Sequence, residues 1–368
     1  MKLSSARKLR IQSLLLAWFR ERQRDLPWRR TRDAYRIWLS EIMLQQTRVA
    51  AVVPYYEKFL ARFPTVESLA SAPTEEVLRL WAGLGYYRRA RHLRRAAREI
   101  VARHEGEFPR DLDAALALPG VGRYTAAAVL SIAYGKPLAV LDGNVARVLA
   151  RFNATRGDLR APARWKKLQD EAQALLAPRA PSDWNQAMME LGATVCTPRS
   201  PRCSECPLSK CCAARRLGLV EKIPARRAKR TPVKLQVAAA VLQDPRGRTF
   251  LVQGSRSPWN GHDGAPLADL FSRMWQFPAI CVRRNARAEL ARFLRERFES
   301  IRVPLSALHP LPLARHTVTF RALTLLPFLL KVEKLPQSPS ASRPPLAHLG
   351  RLPVSNATRK IATSAQSH

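Results

Sequence analysis

Two carboxylates lie in apolar stretches of the chain. Glu41 is inside the run Ile37-Trp-Leu-Ser-Glu-Ile-Met-Leu44, and Asp142 ends the apolar segment Ala139-Val-Leu141. A carboxyl group that loses water has a raised pKa, so Glu41 is a candidate general acid. One protonated and one ionised carboxylate suit cleavage through an oxocarbenium-like sugar cation. The structural alternatives are a hydrogen-bonded Glu41 and an N-cap at Asp142 or Asn144, and the spacing does not show whether the two acids meet.

Four cysteines follow one another closely, in the order Cys196-x6-Cys203-x2-Cys206-x5-Cys212. Four thiolates are a full ligand set for an iron-sulfur cluster or a structural zinc ion. The spacing lacks the paired CxxC knuckles of zinc ribbons and therefore favours a [4Fe-4S] cluster. Cys211 adjoins Cys212 and competes with it as the fourth ligand. Basic residues flank the loop and predict that the metal stiffens a phosphate-contacting segment: Arg199, Arg202 and Lys210.

A glycine-rich turn separates two helical patterns at Leu118-Pro-Gly-Val-Gly-Arg-Tyr-Thr-Ala126. Gly120 and Gly122 permit a tight hairpin and leave amide groups bare at the start of the next helix. A purely structural turn is the alternative. Together with Arg123 and the charge of the whole chain, the motif predicts a helix-hairpin-helix contact with the DNA backbone.

The charge of the chain points to a polyanionic partner. The 368 residues contain 63 Lys and Arg against 28 Asp and Glu, which leaves a net charge of +35. Such a field attracts nucleic acid. The apolar run from Leu14 to Phe19 is too short for a signal peptide or a membrane span, so we expect no membrane partner and a cytoplasmic location where thiols stay reduced.

The length predicts about two domains, and the periodicity changes between them. Residues 1–220 have a helical pattern, including an arginine-rich helix at 88–104 whose arginines either face solvent or contact phosphate. Residues 221–234 are basic and Pro-interrupted, which is typical of a linker. Residues 235–368 predict an α+β domain whose tail, from residue 334, is poorly ordered in places. The predicted elements are strands at 235–242, 249–253 and 317–332, a turn at 244–247 and a helix at 289–298.

Seven motifs together resemble the MutY adenine DNA glycosylases of the helix-hairpin-helix superfamily. They are RDLPWR (24–29), WLSEIMLQQT (38–47), GLGYY (83–87), LPGVGRYTA (118–126), LDGNV (141–145), the cysteine loop and PVSNATRKIA (353–362). The resemblance implies an enzyme that flips out adenine mispaired with 8-oxoguanine or guanine and hydrolyses its N-glycosidic bond. It implies that Glu41 protonates adenine N7 and handles the attacking water. Asp142 then stabilises the sugar cation or a covalent intermediate, and Tyr124 and Asn144 line the pocket.

The resemblance also implies the DNA contacts. Residues that fill the gap in the base stack and touch the opposite base would be Gln46, Thr47, Leu84 and Tyr86. Residues around the adenine pocket would be Trp28, Arg29, Gln186 and Glu190, although helix packing explains Trp28 and Leu84 equally well. Endonuclease III-like relatives carry a lysine at the position of Tyr124, and a phenol cannot form their Schiff base. The chain is therefore expected to be a monofunctional glycosylase. The family resemblance further suggests a monomer associated with the bacterial nucleoid.

The C-terminal region resembles a Nudix fold, most clearly at Met274-Trp-Gln-Phe-Pro278. The catalytic Nudix box is absent after Pro278, so no magnesium-dependent nucleotide hydrolysis is expected. In the family this domain recognises 8-oxoguanine through a Phe-Ser-His loop. Here Val318, Thr319 and Phe320 occupy those places, and Thr319 keeps a hydroxyl group for the hydrogen bond.

Two other functions fit parts of the sequence. A bifunctional pyrimidine-lesion glycosylase of the endonuclease III type is disfavoured by Tyr124 and by the extra domain. A non-catalytic iron-sulfur protein that binds DNA, such as a redox sensor, is disfavoured by Glu41 and Asp142, which both lie in the matching motifs.

Overall fold

The computed structural model describes residues 4–225, 231–253, 274–298, 303–338 and 341–367. Its contacts divide the chain into two compact units. The first contains Met1–Ser71 and His92–Ala228, and the second contains Ala72–Arg91 and Lys229–His368. The predicted boundary near residue 220 is therefore close to the end of the first unit, but the segment 72–91 packs with the C-terminal residues. Among the described residues no helix has the length and apolarity needed to span a membrane.

The region predicted to be helical is helical throughout its described residues. Short loops and 3-10 turns join the helices α1 Ser5–Arg22, α2 Ala34–Leu44, α3 Val49–Arg62, α4 Val66–Ser71, α5 Thr74–Trp81, α6 Arg88–Arg103, α7 Leu112–Ala117, α8 Arg123–Tyr134, α9 Gly143–Phe152, α10 Pro162–Leu175, α11 Pro181–Thr194 and α12 Ala213–Arg216.

Helix α2 is the central helix of the first unit. Asp33 caps it by accepting a hydrogen bond from the Arg36 amide at 2.9 Å. Its residues are buried on every side, and Trp38 is fully inaccessible to solvent. A helix that is apolar all round needs neighbours on all faces. Helices α3 and α8 pack against it, and the small side chains at 126–128 of α8 permit close contact.

A mixed sheet with two flanking helices forms the C-terminal part of the second unit. The elements of this part are β1 Val233–Gln243, β2 Leu251–Val252, β3 Ala279–Val282, α13 Ala286–Arg297, β4 His309–Pro310, β5 Ala314–Val318, β6 Arg321–Lys331, β7 Ala341–Ser342 and α14 Asn356–Gln366. Strands β2 and β7 form a separate two-stranded sheet, and the other strands form the mixed sheet. The strand order is β3-β1-β6-β4, with β5 also paired to β6. The β1–β6 pair is parallel, and the other pairs of this sheet are antiparallel. The predicted α+β class is confirmed.

Three predicted elements differ in detail. The strand expected at 317–332 is two strands, because Thr319 takes a left-handed φ of +56° and the chain reverses there. The strand at 249–253 shrinks to β2, which pairs with β7 rather than forming a full hairpin with β1. Helix α13 begins earlier than residue 289, since the Asn285 side chain accepts a hydrogen bond from the Ala288 amide at 3.1 Å.

The tail, expected to be poorly ordered in places, contains a regular helix. Residues 356–366 form helix α14, which Ser355 caps through the Thr358 amide at 3.1 Å. Its apolar side chains recur three and four residues apart and are buried against β1, β5 and β6. The Pro- and Ser-rich composition of the preceding residues conceals this helical pattern.

Candidate active site and cysteine loop

Glu41 lies near the end of α2 with only 5% of its surface exposed. Tyr124, the second residue of α8, donates a hydrogen bond from its hydroxyl group to Glu41 Oε2 at 2.7 Å. Burial raises the pKa of Glu41 to about 7, the charge of Asp142 adds to the shift, and Tyr124 and Arg29 oppose it. Glu41 therefore exchanges a proton near neutral pH, as its apolar sequence context predicted.

Tyr124 remains a protonated donor. Burial raises its pKa well above the ordinary tyrosine value, and the charges of Glu41 and Asp142 raise it further. Its hydroxyl group also lies 3.2 Å from the Met189 sulfur on α11. Tyr124 therefore holds the Glu41 carboxyl group through its hydrogen bond to Oε2.

Asp142 is the N-cap of α9 and half-buried. Its Oδ1 accepts a hydrogen bond from the Val145 amide at 2.7 Å, and its Oδ2 accepts one from the Asn144 side chain at 3.1 Å. Burial raises the pKa of Asp142, and these donors oppose the shift. The capping role is thus real, and Asp142 still lies close enough to influence Glu41 and Tyr124. The structure brings Glu41, Tyr124, Asp142 and Asn144 together.

Two buried arginines of α9 connect this turn with the cysteine loop. Arg147 donates to Asn144 Oδ1 at 2.9 Å, to the Gly192 carbonyl oxygen at 2.8 Å and to the Cys196 carbonyl oxygen at 2.8 Å. Arg151 donates to the Thr197 carbonyl oxygen at 2.7 Å. Neither arginine was among the predicted site residues. The sequence signal that could have identified them is their position: they lie four residues apart on one helix, and each stands between apolar residues.

Gly192 on α11 allows the Asn144 turn to approach. A Cβ atom at Gly192 would lie 2.7 Å from Asn144 Cβ and 3.1 Å from the Asn144 carbonyl carbon. The turn that carries Asp142 and Asn144 is therefore in contact with α11 through a residue that has no side chain.

Glu190, also on α11, is held by two arginines. Its carboxylate accepts hydrogen bonds from Arg24 Nε at 2.7 Å and from Arg29 Nη2 at 2.8 Å. These donors outweigh burial and lower the pKa of Glu190. Of the other residues expected at the pocket, Trp28 packs edge-on against Tyr56 at 5.4 Å, and Gln186 donates to Ser182 Oγ at 3.2 Å.

Comparisons with known proteins identify the family of the chain. Residues 39–177 match the family described as HhH-GPD superfamily base excision DNA repair protein. The adenine DNA glycosylase of Mycolicibacterium smegmatis is 48% identical over 200 residues, which cover 54% of this chain and 67% of that protein. The chain belongs to the MutY-type adenine DNA glycosylase family. The adenine DNA glycosylase of Homo sapiens is 50% identical over 210 residues, 55% of this chain, but the match spans only 38% of that protein.

A solved structure shares the first unit's fold. A thermostable thymine-DNA glycosylase superposes with a TM-score of 0.53 at 33% identity, covering 58% of this chain and 100% of that one. The helix-hairpin-helix glycosylase fold is thus shared by relatives that act on different bases, and the site residues must account for any choice among them.

The cysteine loop fits the cluster that the MutY family resemblance implies. Four unpaired cysteines, Cys196, Cys203, Cys206 and Cys212, line one cavity beside Arg151, whereas Cys211 is not among its lining residues. Burial raises the pKa of Cys206 to about 12, and the other three thiols add to the shift, so the four lie within electrostatic reach of one another. Among the described residues no group of three or more His, Cys, Asp or Glu side chains is arranged to hold a metal ion. Thiols spaced round a common cavity suit a four-iron cluster, which is larger than one ion.

The glycine hairpin lies where the sequence predicts it, between α7 and α8. Gly120 has a φ of +78°, and a Cβ atom there would lie 2.7 Å from His92 Cβ on α6. Gly122 is the N-cap of α8, where no side chain caps the first turn and no acidic residue occupies it. Arg123 follows as the first residue of the helix. This helix start presents amide groups and a cation to an anion.

Left-handed backbone conformations mark three residues expected to contact DNA. Gln46, Tyr86 and Thr319 have φ values of +56°, +49° and +56°, which are unfavourable for residues other than glycine. Thr47, next to Gln46, donates to the Gln45 carbonyl oxygen at 3.3 Å. In the second unit, Leu84 is buried, whereas Tyr86 is 44% exposed and lies under the Arg89 guanidinium at 5.5 Å. Strained loops of this kind are common at functional sites.

Proposed function

We propose that this chain is a monofunctional DNA glycosylase that excises adenine mispaired with 8-oxoguanine or guanine and leaves an abasic site. One observation carries the proposal. A buried Glu41 with a pKa of about 7 lies with Asp142 and Tyr124 in a chain whose relatives are adenine DNA glycosylases. Duplex DNA is the proposed partner, which the net charge of +35 favours.

The two carboxyl groups supply the chemistry. Protonated Glu41 donates its proton to adenine N7, which turns the base into a better leaving group as the C1′–N9 bond breaks. Ionised Asp142, held by the Val145 and Asn144 donors, stabilises the positive charge that develops on the sugar or forms a covalent intermediate with it. Glu41, now a carboxylate, accepts a proton from the water that attacks C1′. Tyr124 keeps its hydrogen bond to Glu41 through these steps.

We infer that Cys196, Cys203, Cys206 and Cys212 hold a [4Fe-4S] cluster. The cluster would order the loop between α11 and α12 and place its basic residues near DNA phosphates. The position of Cys211 outside the cavity supports Cys212 as the fourth ligand. Cys212→Ser is expected to lose the visible absorption band and the iron content of the purified protein, whereas the matched control Cys211→Ser keeps both. The reverse result would make Cys211 the ligand.

Thr319 is the proposed contact with 8-oxoguanine, in a C-terminal unit of Nudix-like fold. It stands at the turn between β5 and β6, where its hydroxyl group donates to the Val318 carbonyl oxygen at 2.7 Å. Thr319→Ala is expected to reduce the preference for 8-oxoguanine over guanine opposite adenine, with base release otherwise retained. An unchanged preference would show that another segment reads the lesion.

We also propose that the protein is monomeric and cytoplasmic.

A cleavage assay tests the activity. The full chain is incubated with a duplex that contains one adenine opposite 8-oxoguanine, and one half of the sample is treated with alkali. Strand breaks only after alkali would support the monofunctional glycosylase. Breaks before alkali would assign a lyase activity. If neither half of the sample contains strand breaks but the chain still binds the duplex, the chain is a non-catalytic DNA-binding protein.

A further inference from the structure

The strand register of the second unit places six side chains in two rows on one face of the sheet. Residues directly opposite each other on paired strands point to the same face. Thr317 pairs with Ala322, and Ala322 pairs with Lys234. Arg315 pairs with Thr324, and Thr324 pairs with Gln236. We call these two rows the sheet platform: Lys234, Gln236, Arg315, Thr317, Ala322 and Thr324.

Helix α13 covers only the other end of this face. The alternate residues of β1 that follow Gln236, from Ala238 to Leu242, belong to a buried cluster with Leu290 and Leu294 of α13. Lys234, Gln236, Arg315 and Thr317, in contrast, are exposed. The sequence changes at the same point from alanine and leucine to cations, hydroxyl groups and an amide. The composition of the platform is therefore that of a solvent-exposed surface, not that of an apolar face left without a packing partner.

The platform is positively charged. The strands β1, β5 and β6 contain no acidic residue. Within the part of the chain that the structure describes, neither Lys234 nor Arg315 forms a side-chain ion pair. At the adjacent hairpin tip the ring of Phe320 is 40% exposed, and the Arg321 guanidinium lies 4.4 Å from its centroid. Four kinds of group that contact phosphate and sugar thus stand side by side.

We propose that the sheet platform binds the phosphodiester backbone of duplex DNA. The inference rests on the proposed function, since it assigns a second contact with the same substrate. Ammonium, guanidinium, hydroxyl and amide donors are the groups that proteins direct at phosphate oxygens. A protein partner would need an apolar centre for its interface. Val282 of β3 continues the second row beside Gln236 but is buried, so the platform offers only Ala322 and the methyl groups of two threonines. Charge and composition therefore both favour the nucleic-acid backbone.

The salt dependence of binding tests the platform. Lys234→Gln with Arg315→Gln removes two cations from exposed positions, so the fold should be retained. Each lost phosphate contact lowers the slope of log K against log salt by about 0.9, so the double variant should lose about 2 from the slope and about tenfold in affinity at physiological salt. The probe is a duplex with one adenine opposite 8-oxoguanine, bound by the full chain over a salt series.

A matched variant controls for net charge. Arg292→Gln with Arg297→Gln makes the same charge change at two exposed positions on α13. It is expected to leave the slope close to that of the native chain. If the platform variant also has the native slope, or if the slope falls by the same amount in both variants, the platform does not bind the DNA backbone. An acidic protein would then be the remaining candidate partner for this surface.

The rate of base release separates this inference from the proposed function. At saturating protein the platform variant is expected to release adenine as fast as the native chain, because the carboxyl groups are unchanged. If the native chain releases no adenine but the platform variant still lowers the salt slope, the glycosylase assignment fails and the platform stands. The charge reversal Lys234→Glu with Arg315→Glu should give a larger loss of affinity than the neutral variant.

Discussion

Glu41 and Glu190 are both buried helical carboxylates of the first unit, yet their proton affinities move in opposite directions. Glu41 is 5% exposed and receives one hydrogen bond from a phenol, and its pKa rises to about 7. Glu190 is 1% exposed, but Arg24 and Arg29 bind it and its pKa falls. Burial alone therefore does not produce an acid. The neighbouring donor decides whether the buried carboxyl group keeps its proton or serves as a fixed anion.

The largest expected effect is on catalysis by Glu41. Glu41→Gln preserves the shape and removes the proton donor and base, so single-turnover adenine release should fall about 10²- to 10⁴-fold. Duplex binding measured in parallel should persist. If the variant releases adenine at the native rate, Glu41 takes no part in the chemistry. The difference in pKa between Glu41 and Glu190 would then have no functional meaning.

The next effect is on stability at Glu190. Arg29→Met removes one of two cations from a carboxylate that water does not reach, and should lower the free energy of unfolding by about 3 kcal/mol in denaturant titrations. The control is Arg30→Met, which removes the partner of Asp25 in a pair that is exposed on the surface. That pair is screened by solvent, so the control should keep the native midpoint. Equal losses in the two variants would show that burial adds nothing to the Glu190 ion pair.

A pH series compares the stability of the native chain with Glu41→Gln. The folded-state pKa of Glu41 is raised from 4.5 to about 7, so below about pH 4.5 the carboxyl group is protonated whether folded or unfolded. As pH rises from there to about 7, the unfolded chain ionises first and the native chain loses stability. The amide variant has no such loss. Its advantage should grow by up to about 3 kcal/mol across this window and then level off. A gap independent of pH would contradict the raised pKa.

The smallest effect concerns Tyr124. Its hydrogen bond favours the ionised form of Glu41, so Tyr124→Phe should raise the pKa of Glu41 further. The alkaline limb of the pH profile for single-turnover base release is expected to move to higher pH. A shift to lower pH would indicate that Tyr124 stabilises the neutral acid instead.

The local sequence predicted Glu41 and the cysteine loop for physical reasons. A run that is apolar on every side must be buried, and a carboxyl group within it must lose water. The ion pairs of Glu190 were not predictable in this way, since Arg24 and Glu190 are 166 residues apart and meet only through the packing of α11. The same holds for Arg147, whose partners come from α9, α11 and the cysteine loop.

The fold was predictable where periodicity is strong. The helical first unit follows from repeats of three and four residues, whereas the division of 317–332 into β5 and β6 depends on one strained threonine that composition does not reveal. Helix α14 has mostly small buried residues, Ala357, Ala362 and Ala365 among them, so its apolar stripe is weak beside the prolines that precede it. Packing against the sheet supplies the stabilisation that the stripe alone does not indicate.

Gly192 has no reactive group, but the close contact there makes the site as sensitive to its substitution as to the substitution of a reactive residue. Since even a methyl group there would overlap Asn144, the smallest possible enlargement must displace either α11 or the loop that carries Asp142. The position of Asp142 thus depends partly on the absence of a side chain at residue 192, which takes no part in the reaction.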